Sequence, residues 1–175
     1  AKTVLDVGCG SGDIALALVE QAQDQCRELR VTCLDISEQM LHIAQTRTAN
    51  HPSLAFVLGD GKGLPFEDGA FDVVMCNLAL HHFDPQGAAA LLAEMRRVAR
   101  ITPFISDLRR SPIGYVGAWL FSRLTTTNRL TRHDAPLSVR RAYTTSEAVQ
   151  FARDAGWRNP VVKRAPFYRM VLQDG

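Results

Sequence analysis

The segment Val4-Leu-Asp-Val-Gly8-Cys-Gly10-Ser-Gly12-Asp13 constrains this chain more than any other. An apolar run ends in three closely spaced glycines, and Ile14 to Val19 then continue as a helix former. Strand, glycine turn and helix are therefore expected in that order. Glycines at such a turn permit positive φ and let a ligand approach the backbone, so a nucleoside-bearing ligand fits there. An acidic residue about 20 positions further on is the usual second mark of such a site, and Asp35 ends the next apolar run, Val31 to Leu34. A tight turn with a helix cap is the plainer reading. The loop with Asp35 indicates a nucleoside cofactor without saying which.

The alternation continues along the chain. Ser37 can cap a helix carrying Met40, Leu41 and Ile43, Pro52 bars any further helix beyond it, and Leu54 to Leu58 form a third strand. Phe71 to Cys76 reads as a fourth strand, Ala88 to Val98 as a helix and Phe104 to Ser106 as a fifth strand. The stretch from Asp107 to Tyr143 reads as irregular. Thr145 or Ser146 caps a helix ended by Gly156, and Val161 to Lys163 and Tyr168 to Leu172 are close enough for an antiparallel edge. The expected fold is α/β: a doubly wound, Rossmann-like, mostly parallel sheet with an antiparallel C-terminal edge strand and a helical lid insertion at about 108–143. With 175 residues, 46% of them hydrophobic, a single domain over 1–175 is expected. The chain starts directly on its first strand and allows only Ala99 to Pro103 for the return from helix to parallel strand. Missing N-terminal residues, and missing residues at this junction, are the expectation drawn from that.

A formal charge of +2 makes no case for nucleic acid. No apolar run is long enough to span a bilayer. The four cysteines, Cys9, Cys26, Cys33 and Cys76, form no CxxC pair and lie in or beside apolar runs, so they read as buried, reduced thiols of a cytoplasmic protein. His42, His51, His81, His82 and His133 lack metal-ligand spacing, and no metal site is expected.

Four segments together carry a family resemblance: VLDVGCGSGD at 4–13, LDIS at 34–37, GDGKGLPFEDGAFDVV at 59–74 and NLALHHF at 77–83. In this order the chain resembles the class I S-adenosylmethionine-dependent methyltransferases, and within them the branch holding the ubiquinone and menaquinone C-methyltransferases and small-molecule relatives. The resemblance covers residues 3–108 well, with Gly61 where that family often has Ala. It implies S-adenosylmethionine as cofactor, S-adenosylhomocysteine as product and a small-molecule acceptor. It further implies that Gly8 and Gly10 lie under the methionine part, Asp35 holds the ribose, Asp60 accepts from the adenine amino group, the Gly61 backbone meets the ring edge, and Ile36 and Met40 wall the base. Gly12 and Asn77 belong to the same implied set. Met40 reads equally as helix core. Asp6 is implied near the cofactor's amino group, and a structural role in fixing the loop is as reasonable.

Methyl transfer is an in-line displacement whose main demand is positioning. His81 and His82, just after the fourth strand, are the bases at hand for an acceptor proton, His81 being expected to be the more rigidly held. Alternatively one caps the turn and the other packs. The stretch from Asp107 to Tyr143 holds seven arginines against two aspartates, a net +5 that exceeds the whole-chain charge. Ile113, Val116, Trp119, Leu120 and Leu124 recur at helical spacing within it. A lid over an apolar, anionic or carrier-delivered acceptor is one reading, and a helix covering the sheet edge with a solvated arginine face is the other. A catalytically silent cofactor-binding subunit and a nicotinamide-dependent oxidoreductase are the competing functions; the glycine spacing speaks against the second.

Overall fold

A computed structural model describes residues 2–49 and 51–175. Seven strands form one sheet in the order β3-β2-β1-β4-β5-β7-β6. β1 (Lys2–Val7) lies at its centre and pairs in parallel with β2 (Leu29–Asp35) on one side and β4 (Phe71–Asn77) on the other. β3 (Leu54–Leu58) flanks β2, and β5 (Ala99–Leu108) flanks β4, both in parallel. The hairpin of β6 (Pro160–Ala165) and β7 (Arg169–Asp174) supplies the antiparallel edge, with β7 against β5 and β6 outermost.

Successive residues of β1 point to opposite faces, and each face has its own core. Val4, Val31, Cys33 and Met75 pack with Ala15 and Val19 of α1 (Asp13–Asp24). Leu5, Val74, Cys76, Ile105 and Leu172 pack against Leu91, Leu92 and Met95 of α3 (Pro85–Val98) and Ala148 and Ala152 of α6 (Thr145–Asp154). α2 (Glu38–Arg47) starts at Ser37, whose hydroxyl accepts the Met40 N–H, and lies beside α1. At Gly12 a Cβ would stand 3.2 Å from that of Ala44, so this glycine lets the two helices close up.

Three expectations need correction. The junction after α3 is no loop at all. β5 begins at Ala99, and a register shift in its pairing to β4, from Phe71 opposite Ala99 to Val73 opposite Thr102, takes up one extra residue. The stretch expected to be irregular is two helices, α4 (Pro112–Thr125) and α5 (Arg129–Arg141), and the Arg110 N–H donates to the Tyr143 carbonyl where its two ends meet. Cys33 and Cys76 are buried, but Cys26 is exposed at the end of α1 with φ 54°.

Candidate active site

The strand order reverses direction at β1 and β4, so the carboxyl ends of these two strands leave a crevice between their diverging connections. A cavity of about 520 Å³ occupies it. Its floor is Gly8 and Gly10, at φ 72° and 55°, where side chains are disfavoured. At Gly8 there is no room for one either, since a Cβ would come within 2.9 Å of Ala79.

Asp35 ends β2 with its carboxylate divided between two backbone donors. One oxygen accepts the Gly10 N–H at 2.9 Å and the other the Ser37 N–H at 2.9 Å, so a single side chain fixes the glycine loop and the start of α2. Ile36 beside it is 71% exposed. Asp60 accepts the Lys62 N–H at 3.0 Å and faces the same cavity. Gly61 is buried, and a Cβ there would meet Leu91 at 2.9 Å and Val7 at 3.0 Å, which accounts for glycine in place of alanine.

The loop at 59–70 that carries Asp60 and Gly61 is held by one residue of α3. The Arg97 guanidinium donates to the Phe66 and Leu64 carbonyls and to Asp68 and Glu94, while Glu94 accepts the Leu64 N–H. Beneath the glycines, Asp6 is 2% exposed and its Oδ1 has no partner. Burial, reinforced by the charge of Asp35, pushes its carboxyl up to about 7.

The two histidines separate. Both lie in a 3-10 turn, Leu80–His82, with rings 4.2 Å apart. His81 is buried, its Nδ1 2.7 Å from Asp107 Oδ1 and its backbone N–H on Asp107 Oδ2 at 3.2 Å. His82 is exposed and lines the cavity. Desolvation, then the neighbouring His81 and Arg141 charges, hold the His82 imidazole below its ordinary value despite Asp107. The cavity thus gathers Gly8, Gly10, Asp35, Ile36, Asp60, Gly61 and His82, with Leu34, Leu78, Ala79 and Phe83 as further walls. Asp6, Gly12, Met40, Asn77 and His81 are not among its lining residues. Met40 comes closest to the loop, its terminal methyl 3.9 Å from where a Gly10 Cβ would be. Sequence reasoning missed Asp107, Arg97 and Tyr143, whose hydroxyl donates to the Phe83 carbonyl at 2.7 Å. Asp107 had a signal, since it lies near the carboxyl end of the strand next to the one that leads into the histidines. α4 and α5 contribute no wall to the cavity.

The site fits S-adenosylmethionine on its own features: a cavity of ligand size, an exposed aliphatic wall at Ile36 between the carboxylates of Asp35 and Asp60, glycines where Cβ atoms would intrude, and a buried carboxylate oxygen lacking a donor.

The family described as "Methyltransferase domain" matches residues 4–101. A demethylmenaquinone methyltransferase of Staphylococcus epidermidis is 38% identical over 96 residues, 55% of this chain and 38% of that protein. An uncharacterised 37.1 kDa protein from a transposon of Streptomyces fradiae is 32% identical over 92% of this chain and 45% of its own length. The chain therefore spans less than half the length of these relatives. Among solved structures, a SAM-dependent methyltransferase from Aquifex aeolicus superposes with a TM-score of 0.72 at 19% identity, covering 98% of this chain and 80% of that one. Magnesium protoporphyrin IX methyltransferase from Synechocystis, with SAH bound, gives 0.66 at 21% identity over 97% and 72%.

Proposed function

Because the chain belongs to the methyltransferase-domain family, we propose that it transfers a methyl group from S-adenosylmethionine to a small, apolar or aromatic acceptor. The observation that carries this reading is the single cavity that holds the glycine loop, both carboxylates and one accessible imidazole. When bound, the cofactor supplies an electrophilic methyl on a sulfonium. The protein's part is to bind, orient and take a proton.

Asp35 has lone pairs left for ribose hydroxyls after its two backbone bonds, and those bonds keep it from turning away. Ile36 and the Gly61 backbone take the faces and edge of the adenine, with Asp60 accepting from its amino group. Gly8 and Gly10 leave room for the methionine part, and Asp6 offers its unpartnered oxygen toward the amino group above it.

His82 is neutral near pH 7 because its pKa is lowered, so a ring nitrogen is free to take the acceptor's proton. His81 positions it by stacking, and Asp107 fixes His81. Arg141, close enough to act on His82, suits an acceptor with negative charge. The nicotinamide-dependent alternative is set aside by the family match.

Calorimetry should detect S-adenosylhomocysteine binding, and methyl transfer should appear in a panel of phenols and hydroxyquinones. His82→Gln should lower that rate by about a hundredfold with little change in cofactor affinity. It should also abolish an acid limb lying below pH 6.5 in the wild-type profile. A profile unchanged by the substitution removes the base and leaves alignment alone, while absence of cofactor binding defeats the whole reading.

A further inference from the structure

Helix α4 faces the wrong way for an ordinary surface helix. Its small residues turn inward: Gly114 and Ser122 are buried, and a Cβ on Gly114 would stand 2.8 Å from the Tyr168 ring. Its bulky residues turn outward. Ile113, Val116, Leu120 and Leu124, spaced by three, four and four, are 71%, 60%, 50% and 76% exposed, and Phe121 beside them is 68% exposed. Residues at that spacing form one stripe. A contiguous apolar stripe of this kind marks a surface that is covered in use.

What covers it is indicated by the charge alongside. Between α4 and α5 lies an open cleft of about 480 Å³, lined by Arg123, Arg129, Arg132 and Arg140 with Tyr115 and Trp119. Arg123 sits 4.1 Å over the Trp119 ring, and Arg132 is aimed by bonds to the Thr126 and Arg123 carbonyls. Among the described residues none of these four arginines has a carboxylate partner; the nearby Asp134 pairs with His133. A second copy seated face to face would set unpaired arginines against the same arginines, which opposes self-association. Guanidinium groups, an apolar stripe and aromatic residues at their border match an interfacial lipid site instead. α4, at 14 residues, is too short to cross a bilayer, and no helix of the described residues is long and apolar enough to do so.

We propose that the α4–α5 face docks on an anionic phospholipid surface, with the α4 stripe in the acyl boundary and the arginine cleft on headgroup phosphates. This does not depend on the methyl-transfer reading.

The test is flotation of the full chain with vesicles of phosphatidylcholine alone and of phosphatidylcholine mixed with phosphatidylglycerol. Wild type should partition onto the mixed vesicles, bind phosphatidylcholine weakly and release at high salt. Arg129→Gln with Arg140→Gln should weaken binding about tenfold or more, and Leu120→Asp with Phe121→Asp should do the same. Melting curves establish that each pair folds. Independently of any variant, tryptophan emission should shift to the blue on the mixed vesicles, because Trp119 is 42% exposed and the other tryptophan, Trp157, is already buried. No partitioning, equal binding to both vesicle types, partitioning unmoved by both variant pairs, or stable self-association in place of lipid binding overturns the proposal.

Discussion

Asp35 meets two demands with one carboxylate. It braces the glycine loop through Gly10 and the start of α2 through Ser37, and it presents what acceptor capacity remains to the cavity. Asp35→Ala should therefore weaken S-adenosylhomocysteine binding by about 1.5–3 kcal/mol in calorimetry and lower the melting temperature as well. Loss of melting temperature with unchanged affinity would make it a brace only. Asp6 behaves differently, being raised to about 7 from an ordinary 3.8. Below about pH 4 the folded and unfolded forms are both protonated and the burial costs nothing. Between there and about 7 only the unfolded chain ionises freely, so stability falls as pH rises, and above 7 the penalty is constant. Asp6→Asn should accordingly raise the melting temperature near pH 8 and lose that gain near pH 4. An equal difference at both ends would show that charge is not the cause.

At the scale of elements, the residues that aim the site are not those that line it. Arg97, on α3, gathers four acceptors from or beside the 59–70 loop and so holds Asp60 and Gly61 in place from outside the cavity. Arg97→Met should destabilise by about 1–3 kcal/mol in denaturant melts and weaken cofactor affinity without touching the ligand. Unchanged affinity would mean that the loop is held by its own packing. The same distinction explains what is legible in the sequence. β1 to β4 and the glycine loop are local patterns, apolar runs ended by Gly or Asp, and Asp35 and Asp60 stand at fixed offsets from them. β5 is legible only at 104–106, because Arg100, Thr102 and Pro103 break the apolar run while pairing to β4 sets the strand regardless. α5 escapes a sequence reading because Pro136 lies inside it and five of its thirteen residues, Arg129, Arg132, Asp134, Arg140 and Arg141, are charged. Its support comes from packing on α4. Which of two adjacent histidines faces the cavity depends on how a 3-10 turn is oriented, and the partner Asp107 is 26 positions away. Neither leaves a periodic trace.

Across the whole molecule, the middle of the sheet is buried on both faces and the β5-β7-β6 edge is assembled out of chain order. β6 is hydrogen-bonded to no strand but β7 among the described residues, and β7 also covers Phe104–Leu108 of β5. Deleting Arg169–Asp174 should thus strip two strands rather than one, leave the β5 edge open and produce aggregates in light scattering, where a soluble monomer of unchanged circular dichroism would show the edge to be dispensable. For a chain emerging from a ribosome the same wiring sets a schedule. Pro160–Ala165 comes out before there is any strand for it to lie against, and must wait through the turn at 166–168 for the segment that will sit between it and the rest. The sheet is closed by its last-made strand sliding into an interior place, so this edge is completed all at once or not at all.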